Sequence, residues 1–61
     1  MTLEEYCRRN KLTINRNEKT GATHLTLPAV VFGSFRFWEL WRLADYAVST
    51  ISGPVVWLVP R

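Results

Sequence analysis

The chain has a single cysteine, Cys7, which restricts what a protein of 61 residues can fold into. Without a disulfide framework or a metal cluster, a chain of this size has to be stabilised by its own apolar core. A domain of about 60 residues buries only roughly 60% of the surface that its unfolded chain exposes. Dense aromatic packing or self-association is therefore expected. The three Trp, three Phe and two Tyr residues supply the first and favour the second.

The composition is typical of one globular domain. Apolar residues make up 48% of the sequence and the formal net charge is +3, which is unlike a disordered chain. The most apolar stretch, residues 25–41, contains charged residues and is interrupted by Pro28 and Gly33, so no membrane-spanning helix is expected. One cysteine and the lack of a signal-peptide pattern favour a cytoplasmic protein. We expect a single domain over residues 1–61.

The first half of the sequence predicts a short helix followed by a β-hairpin. Thr2 and Glu5 have the spacing of a capping box, which starts a helix over residues 3–10. Apolar and polar residues alternate over 11–16 and again over 23–27, and polar turn-forming residues separate these two runs. Alternation with a period of two is typical of half-buried strands.

The second half predicts one long helix and a third strand. Residues 35–50 place Trp41 on an apolar arc with several other core candidates when they are drawn as a helix. The Gly53-Pro54 pair follows in the order that ends a helix. Residues 55–59 are apolar and rich in β-branched side chains, which predicts a buried strand.

These elements predict an α+β domain with the element order α-β-β-α-β. The simplest closure is a three-stranded antiparallel sheet with the strand order 2-1-3, in which the first strand is central. The long helix then packs across one face of the sheet, and the other face remains open.

Four side chains of the predicted long helix indicate a surface for a protein partner. Phe35, Trp38 and Tyr46 fall among its polar residues, together with Arg42. Local packing of the rings over Arg42 is one interpretation. The other is a contact surface, because Trp, Tyr and Arg dominate interface hot spots. The charges on this face alternate in sign, which favours a protein partner over phosphate or a membrane surface.

The leading hypothesis is a non-enzymatic protein-binding module. A chain running from Met1 to Arg61 has the size of a complete small gene product, and small free-standing proteins often act as regulators or inhibitors by occupying a partner's surface. The same aromatic surface favours self-association into a homodimer, since a core this small leaves little stability to spare.

The alternative hypothesis is a small nucleic-acid-binding protein. Lys11, Arg16 and Lys19 lie in or beside the predicted hairpin, whose open face is polar. Trp57 is expected to stack on a base if its ring points away from the helix. An ordinary solvated sheet face explains the same residues.

The sequence gives little support for catalysis. His24 is the only histidine and Cys7 the only cysteine, and they belong to different predicted elements. Glu4 and Glu5 are adjacent in the first turn of a helix, where acidic residues stabilise the N-terminus. No metal-ligand spacing and no glycine-rich phosphate loop is present. We therefore expect no enzymatic activity, no catalytic residues, no metal and no cofactor.

Overall fold

The computed structural model describes all residues from Met1 to Arg61 as an antiparallel four-stranded sheet with three short α-helices. The sheet has the strand order β1-β2-β4-β3. The predicted α+β class is confirmed. In chain order the elements are α1 (Leu3–Asn10), β1 (Asn15–Arg16), β2 (Thr23–Thr26), α2 (Ala29–Phe32), α3 (Phe35–Trp38), a 3-10 helix (Glu39–Arg42), β3 (Tyr46–Ser52) and β4 (Val55–Pro60).

Helix α1 begins with the capping box that the sequence predicts. The Thr2 side chain accepts a hydrogen bond from the backbone N–H of Glu5, and the Glu5 carboxylate accepts one from the backbone N–H of Thr2. The helix ends at Lys11, which adopts the left-handed conformation with φ 57°. Its buried side chains are Leu3, Tyr6 and Cys7.

Strands β1 and β2 form the predicted antiparallel hairpin, with Arg16 opposite Thr23. In the turn between them, the Asn17 side-chain oxygen accepts hydrogen bonds from the backbone N–H groups of Lys19 and Thr20. The paired segments are shorter than the predicted 11–16 and 23–27.

The predicted strand order 2-1-3 is wrong, because β2 rather than β1 lies inside the sheet. β2 pairs with β1 on one side and with β4 on the other. Thr23 and Leu25 of β2 are buried and lie opposite Leu58 and Val56 of β4. Both residues of β1 are exposed, as is typical of an edge strand.

The predicted helix over 35–50 is wrong beyond residue 42. The backbone becomes extended at Leu43, and β3 follows as a strand that pairs with β4. Gly53 and Pro54 form the two-residue turn of this hairpin instead of ending a helix. Gly53 has φ 58°, and a proline after it keeps φ negative, which fits a type II′ turn. A fourth strand therefore replaces half of the predicted helix.

The core lies between one face of the sheet and the helices. Trp41, predicted to lie in the core, is 43% exposed. The longest helix has eight residues, and no helix is long and apolar enough to span a membrane. The buried apolar cluster comprises Leu3, Tyr6, Cys7, Leu25, Leu27, Val31, Phe37, Leu40, Leu43, Val56 and Leu58.

Candidate functional site

Large apolar side chains are exposed on the segment that connects β2 to β3. Soluble proteins rarely leave several such side chains uncovered side by side. We call Phe32, Phe35, Trp38 and Trp41 the aromatic patch. The exposed side chains of this segment are Val30 (70%), Phe32 (37%), Phe35 (74%), Trp38 (67%) and Trp41 (43%).

The aromatic patch is built on the buried ring of Phe37. The Phe37 ring centroid lies 4.7 Å from that of Phe32, 5.2 Å from that of Trp38 and 5.1 Å from that of Trp41. The Trp38 and Trp41 rings are also in contact, with centroids 5.5 Å apart. Phe35 lies three residues before Trp38 on the same helix, α3. Phe37 thus anchors three of the four exposed rings to the core.

Local capping fixes the short helices that carry the aromatic patch. Pro28 precedes the first residue of α2, where its fixed φ suits a helix start. The Ser34 hydroxyl accepts a hydrogen bond from the backbone N–H of Arg36 and donates one to the carbonyl of Val31. The Tyr6 hydroxyl donates a 2.7 Å hydrogen bond to the carbonyl of Arg36. Helix α3 is therefore tied by side-chain hydrogen bonds to both α1 and α2.

Two unpaired guanidinium groups accompany the aromatic patch. Arg36 and Arg42 are exposed, and the only ion pair of the protein joins Arg8 to Glu4 in α1. The acidic residues of this segment are Glu39, which is half-buried, and Asp45, which is exposed and accepts a hydrogen bond from the backbone N–H of Leu3. The segment therefore carries two cationic and two acidic side chains, and both of its guanidinium groups are free of ion pairs.

The structure separates the four residues that the sequence placed on one helix face. Phe35 and Trp38 are exposed on α3, and Arg42 is exposed at the end of the 3-10 helix. Tyr46 instead belongs to β3 and is half-buried, and its hydroxyl accepts a hydrogen bond from the Arg16 guanidinium at 3.3 Å. Tyr46 is not part of the aromatic patch.

Sequence reasoning missed Phe32 and Trp41 as surface residues. Trp41 fitted the core arc of a helix that ends earlier than predicted. Phe32 lies on α2, a helix that the sequence analysis did not predict. One sequence signal covers Phe32, since residues 20–35 contain no charged side chain.

The residues of the nucleic-acid hypothesis are only partly brought together. Trp57 points to the open face of the sheet, where its ring lies 4.6 Å from that of His24. Arg16 lies opposite the buried Thr23 and therefore on the other face. Lys19 is in the β1–β2 turn, and Lys11 caps the C-terminus of α1. The three cations therefore do not form one stripe beside Trp57.

The titratable side chains do not converge on a reacting centre. Cys7 is buried in α1, and burial raises the pKa of its thiol to about 11. His24 lies on the open face, on the opposite side of the sheet from the helices. The protein has no group of three His, Cys, Asp or Glu side chains placed to hold a metal ion.

Comparison with known proteins adds no functional assignment. No family model, no curated protein and no solved structure matches this chain.

Proposed function

We propose that the protein is a non-enzymatic protein-binding module that acts as a regulator or inhibitor by occupying a partner's surface. The observation that carries this proposal is the aromatic patch, in which four aromatic side chains are exposed on one short segment. Tryptophan and phenylalanine bury large areas on association, and tryptophan is enriched among the residues that dominate binding energy. The free, buried Cys7 supports a reducing, cytoplasmic setting.

The attachment of the aromatic patch favours tight binding. Ordering flexible side chains on association costs roughly 0.5–1.5 kcal/mol for each one. Phe32, Trp38 and Trp41 already contact Phe37 in the free protein. These side chains are therefore partly ordered before binding, and less conformational entropy is lost on association. Preorganised rings of this kind suit a partner that offers a preformed groove.

The charges beside the aromatic patch define the partner's chemistry. Arg36 and Arg42 have no carboxylate partner within the protein. A partner with an apolar groove and acidic side chains at its rim complements both features, and charge complementarity sets specificity and association rate. We propose a partner of this kind.

Nucleic-acid binding is the second candidate. It is favoured by the orientation of Trp57, which exposes part of its ring on the open sheet face beside His24. It ranks lower because Arg16, one of its three cations, faces the other side of the sheet and bonds to Tyr46.

A phage-displayed peptide library selected on the immobilised protein tests the leading proposal. We expect selected peptides to contain aromatic or leucine side chains together with Asp or Glu. The double variant Phe35→Ala, Trp38→Ala should lose binding of these peptides. Replacing Lys11, Arg16 and Lys19 with Gln is the matched control and should leave binding nearly intact.

The same variants also test nucleic-acid binding, the second candidate function. A fluorescent single-stranded oligonucleotide is titrated with the protein at several salt concentrations, because phosphate contacts make affinity fall steeply with salt. Salt-dependent binding that is lost in the Gln triple variant and kept in the Ala double variant would reverse the ranking.

A further inference from the structure

The strand β3 leaves one edge of the sheet unpaired. It has seven residues, Tyr46–Ser52, and pairs only with β4. The only hydrogen bond that reaches its backbone from outside the strands is donated by the Arg61 side chain to the carbonyl of Tyr46. The outward backbone groups from Ala47 to Ser52 therefore have no partner within the chain.

This edge lacks most of the features that normally protect an edge strand. Natural edges are kept short, or carry Lys, Pro or inward-pointing charges that discourage pairing with another chain. The opposite edge, β1, has two residues and includes Arg16. In contrast, residues 46–52 contain no charged side chain and no proline, and the only irregularity is a β-bulge between Val48 and Thr50.

The bulge lets two copies of β3 pair with matching faces. Val48 and Ile51 both lie on the helix-side face, opposite the buried Leu58 and Val56. They are three residues apart, so an antiparallel pair centred between Ser49 and Thr50 places Val48 of one copy opposite Ile51 of the other. In a strand without a bulge, residues three apart lie on opposite faces, because side chains alternate with a period of two. The same register would then place a helix-side residue opposite one from the open face.

We propose that the free edge of β3 is the contact surface of a homodimer in which two sheets join into one of eight strands. Ile51 is 41% exposed beside the core, and Val48 of the second copy covers it in this register. The paired strands contain no charged side chain, although each copy carries a net charge of +3 and Arg61 bonds to the Tyr46 carbonyl at the start of the strand. The proposal uses a different surface from the aromatic patch and is independent of the proposed function.

Two matched threonine substitutions test the proposal. Thr50 and Thr26 are both exposed strand residues on the open face, opposite Trp57 and Val55 of β4. In the dimer, the two copies of Thr50 flank the two-fold axis, whereas Thr26 lies on an interior strand. Thr50→Lys should raise the dimer dissociation constant about tenfold or more by like-charge repulsion, and Thr26→Lys should leave it nearly unchanged.

Charge exchange identifies the contact directly. Thr50→Glu alone should also weaken the dimer, and an equimolar mixture of Thr50→Lys and Thr50→Glu should form the heterodimer. Sedimentation equilibrium at hundreds of micromolar measures each mass against the 7.1 kDa of one chain. In the unmodified protein, hydrogen exchange of the β3 amides should slow as concentration rises, so the test does not depend on the variants folding.

Three results overturn the proposal. The first is a monomeric unmodified chain at these concentrations. The second is a dimer that survives Thr50→Lys but dissociates with Trp38→Ala, which assigns the contact to the aromatic patch. The third is concentration-independent exchange of the β3 amides. If β3 pairs with a strand of another protein instead, the unmodified chain is a monomer and the Thr50→Lys variant loses binding to that protein.

Discussion

The hydroxyl of Tyr6 in α1 lies 2.7 Å from the backbone carbonyl oxygen of Arg36 in α3 and donates a hydrogen bond to it. The Tyr6 side chain is fully buried, so the bond crosses the interior of the protein. A helix of four residues is far too short to be stable alone. The position of α3, and with it the aromatic patch, therefore depends on contacts of this kind.

Removing the Tyr6 hydroxyl should destabilise the protein more than removing the Tyr46 hydroxyl. We expect Tyr6→Phe to lower the free energy of unfolding by about 1–2 kcal/mol, because the carbonyl of Arg36 loses its donor inside the protein. Tyr46→Phe is the matched control, since its hydroxyl meets the exposed Arg16 at 3.3 Å. Urea denaturation measures both, and an equal loss in the two variants would contradict the proposed role of the Tyr6 bond.

Stability should fall at alkaline pH. Burial raises the pKa of Tyr6 from 10.0 to about 12 and that of the Cys7 thiol from 9.0 to about 11. Both groups hold their protons more tightly in the folded state than in the unfolded state. Their contribution is therefore complete below pH 9 and is lost as the pH rises between about 9 and 12. Melting temperatures measured across this range should decline steadily.

Variants separate the two groups. Cys7→Ala should remove the part of the decline that begins near pH 9, and Tyr6→Phe should remove the part that begins near pH 10. The slopes of melting temperature against pH are compared, because both substitutions also lower stability at neutral pH. A decline that is unchanged in both variants would show that other groups cause it.

The capping box of α1 should respond to small changes of the Thr2 side chain. Thr2→Ala removes the acceptor for the Glu5 backbone N–H and should cost about 1 kcal/mol. Thr2→Ser keeps the hydroxyl and should cost much less. Hydrogen bonding to the backbone of Thr2 lowers the pKa of Glu5, so its contribution is present above its ordinary pKa of 4.5 and is lost as the pH falls through the lower folded value.

Acid titration of these variants checks the cause of the Glu5 shift. The Glu5 carboxylate, followed by NMR, should titrate at lower pH in the folded protein than in a peptide of residues 1–11. Thr2→Pro removes both the backbone N–H and the hydroxyl that donate to the carboxylate and should return the Glu5 pKa towards its ordinary value. An unshifted Glu5 in the unmodified protein would contradict the capping box.

Local signals in the sequence were read more accurately than signals that depend on distant contacts. The spacing of Thr2 and Glu5 predicts the start of α1 because a capping box involves only one turn of backbone. The Gly53-Pro54 pair is ambiguous, since it suits both the end of a helix and a hairpin turn. Only the pairing of β3 with β4 decides between these two structures.

The β-bulge explains why β3 was predicted as a helix. Val48 and Ile51 face the same side of the sheet although they are three residues apart, and a spacing of three is the signal for one face of a helix. The β-branched residues of this segment favour a strand, but a bulge removes the period of two that would have made the strand recognisable. The wrong prediction that Trp41 lies in the core has the same origin, because the burial of Trp41 depends on where the helix ends.

Because the 3-10 helix ends at Arg42, the neighbouring side chains of Leu40 and Trp41 should contribute differently to stability. Leu40 is fully buried and Trp41 is 43% exposed. Leu40→Ala should lower the free energy of unfolding by about 2–5 kcal/mol, because it leaves a cavity in the core. Trp41→Ala should cost less than Leu40→Ala despite its larger side chain, and Trp38→Ala should cost least because Trp38 is 67% exposed.

Denaturation curves of these three variants distinguish the observed fold from the helix that the sequence predicts. A helix continuing to residue 50 places Trp41 in the core, so its removal costs about 3–5 kcal/mol and unfolds much of so small a domain. The observed structure leaves Trp41 in contact with Phe37 and Trp38 at the surface, so Trp41→Ala loses those ring contacts and keeps the core. A larger loss for Trp41→Ala than for Leu40→Ala would therefore argue against both the end of the helix at Arg42 and the aromatic patch.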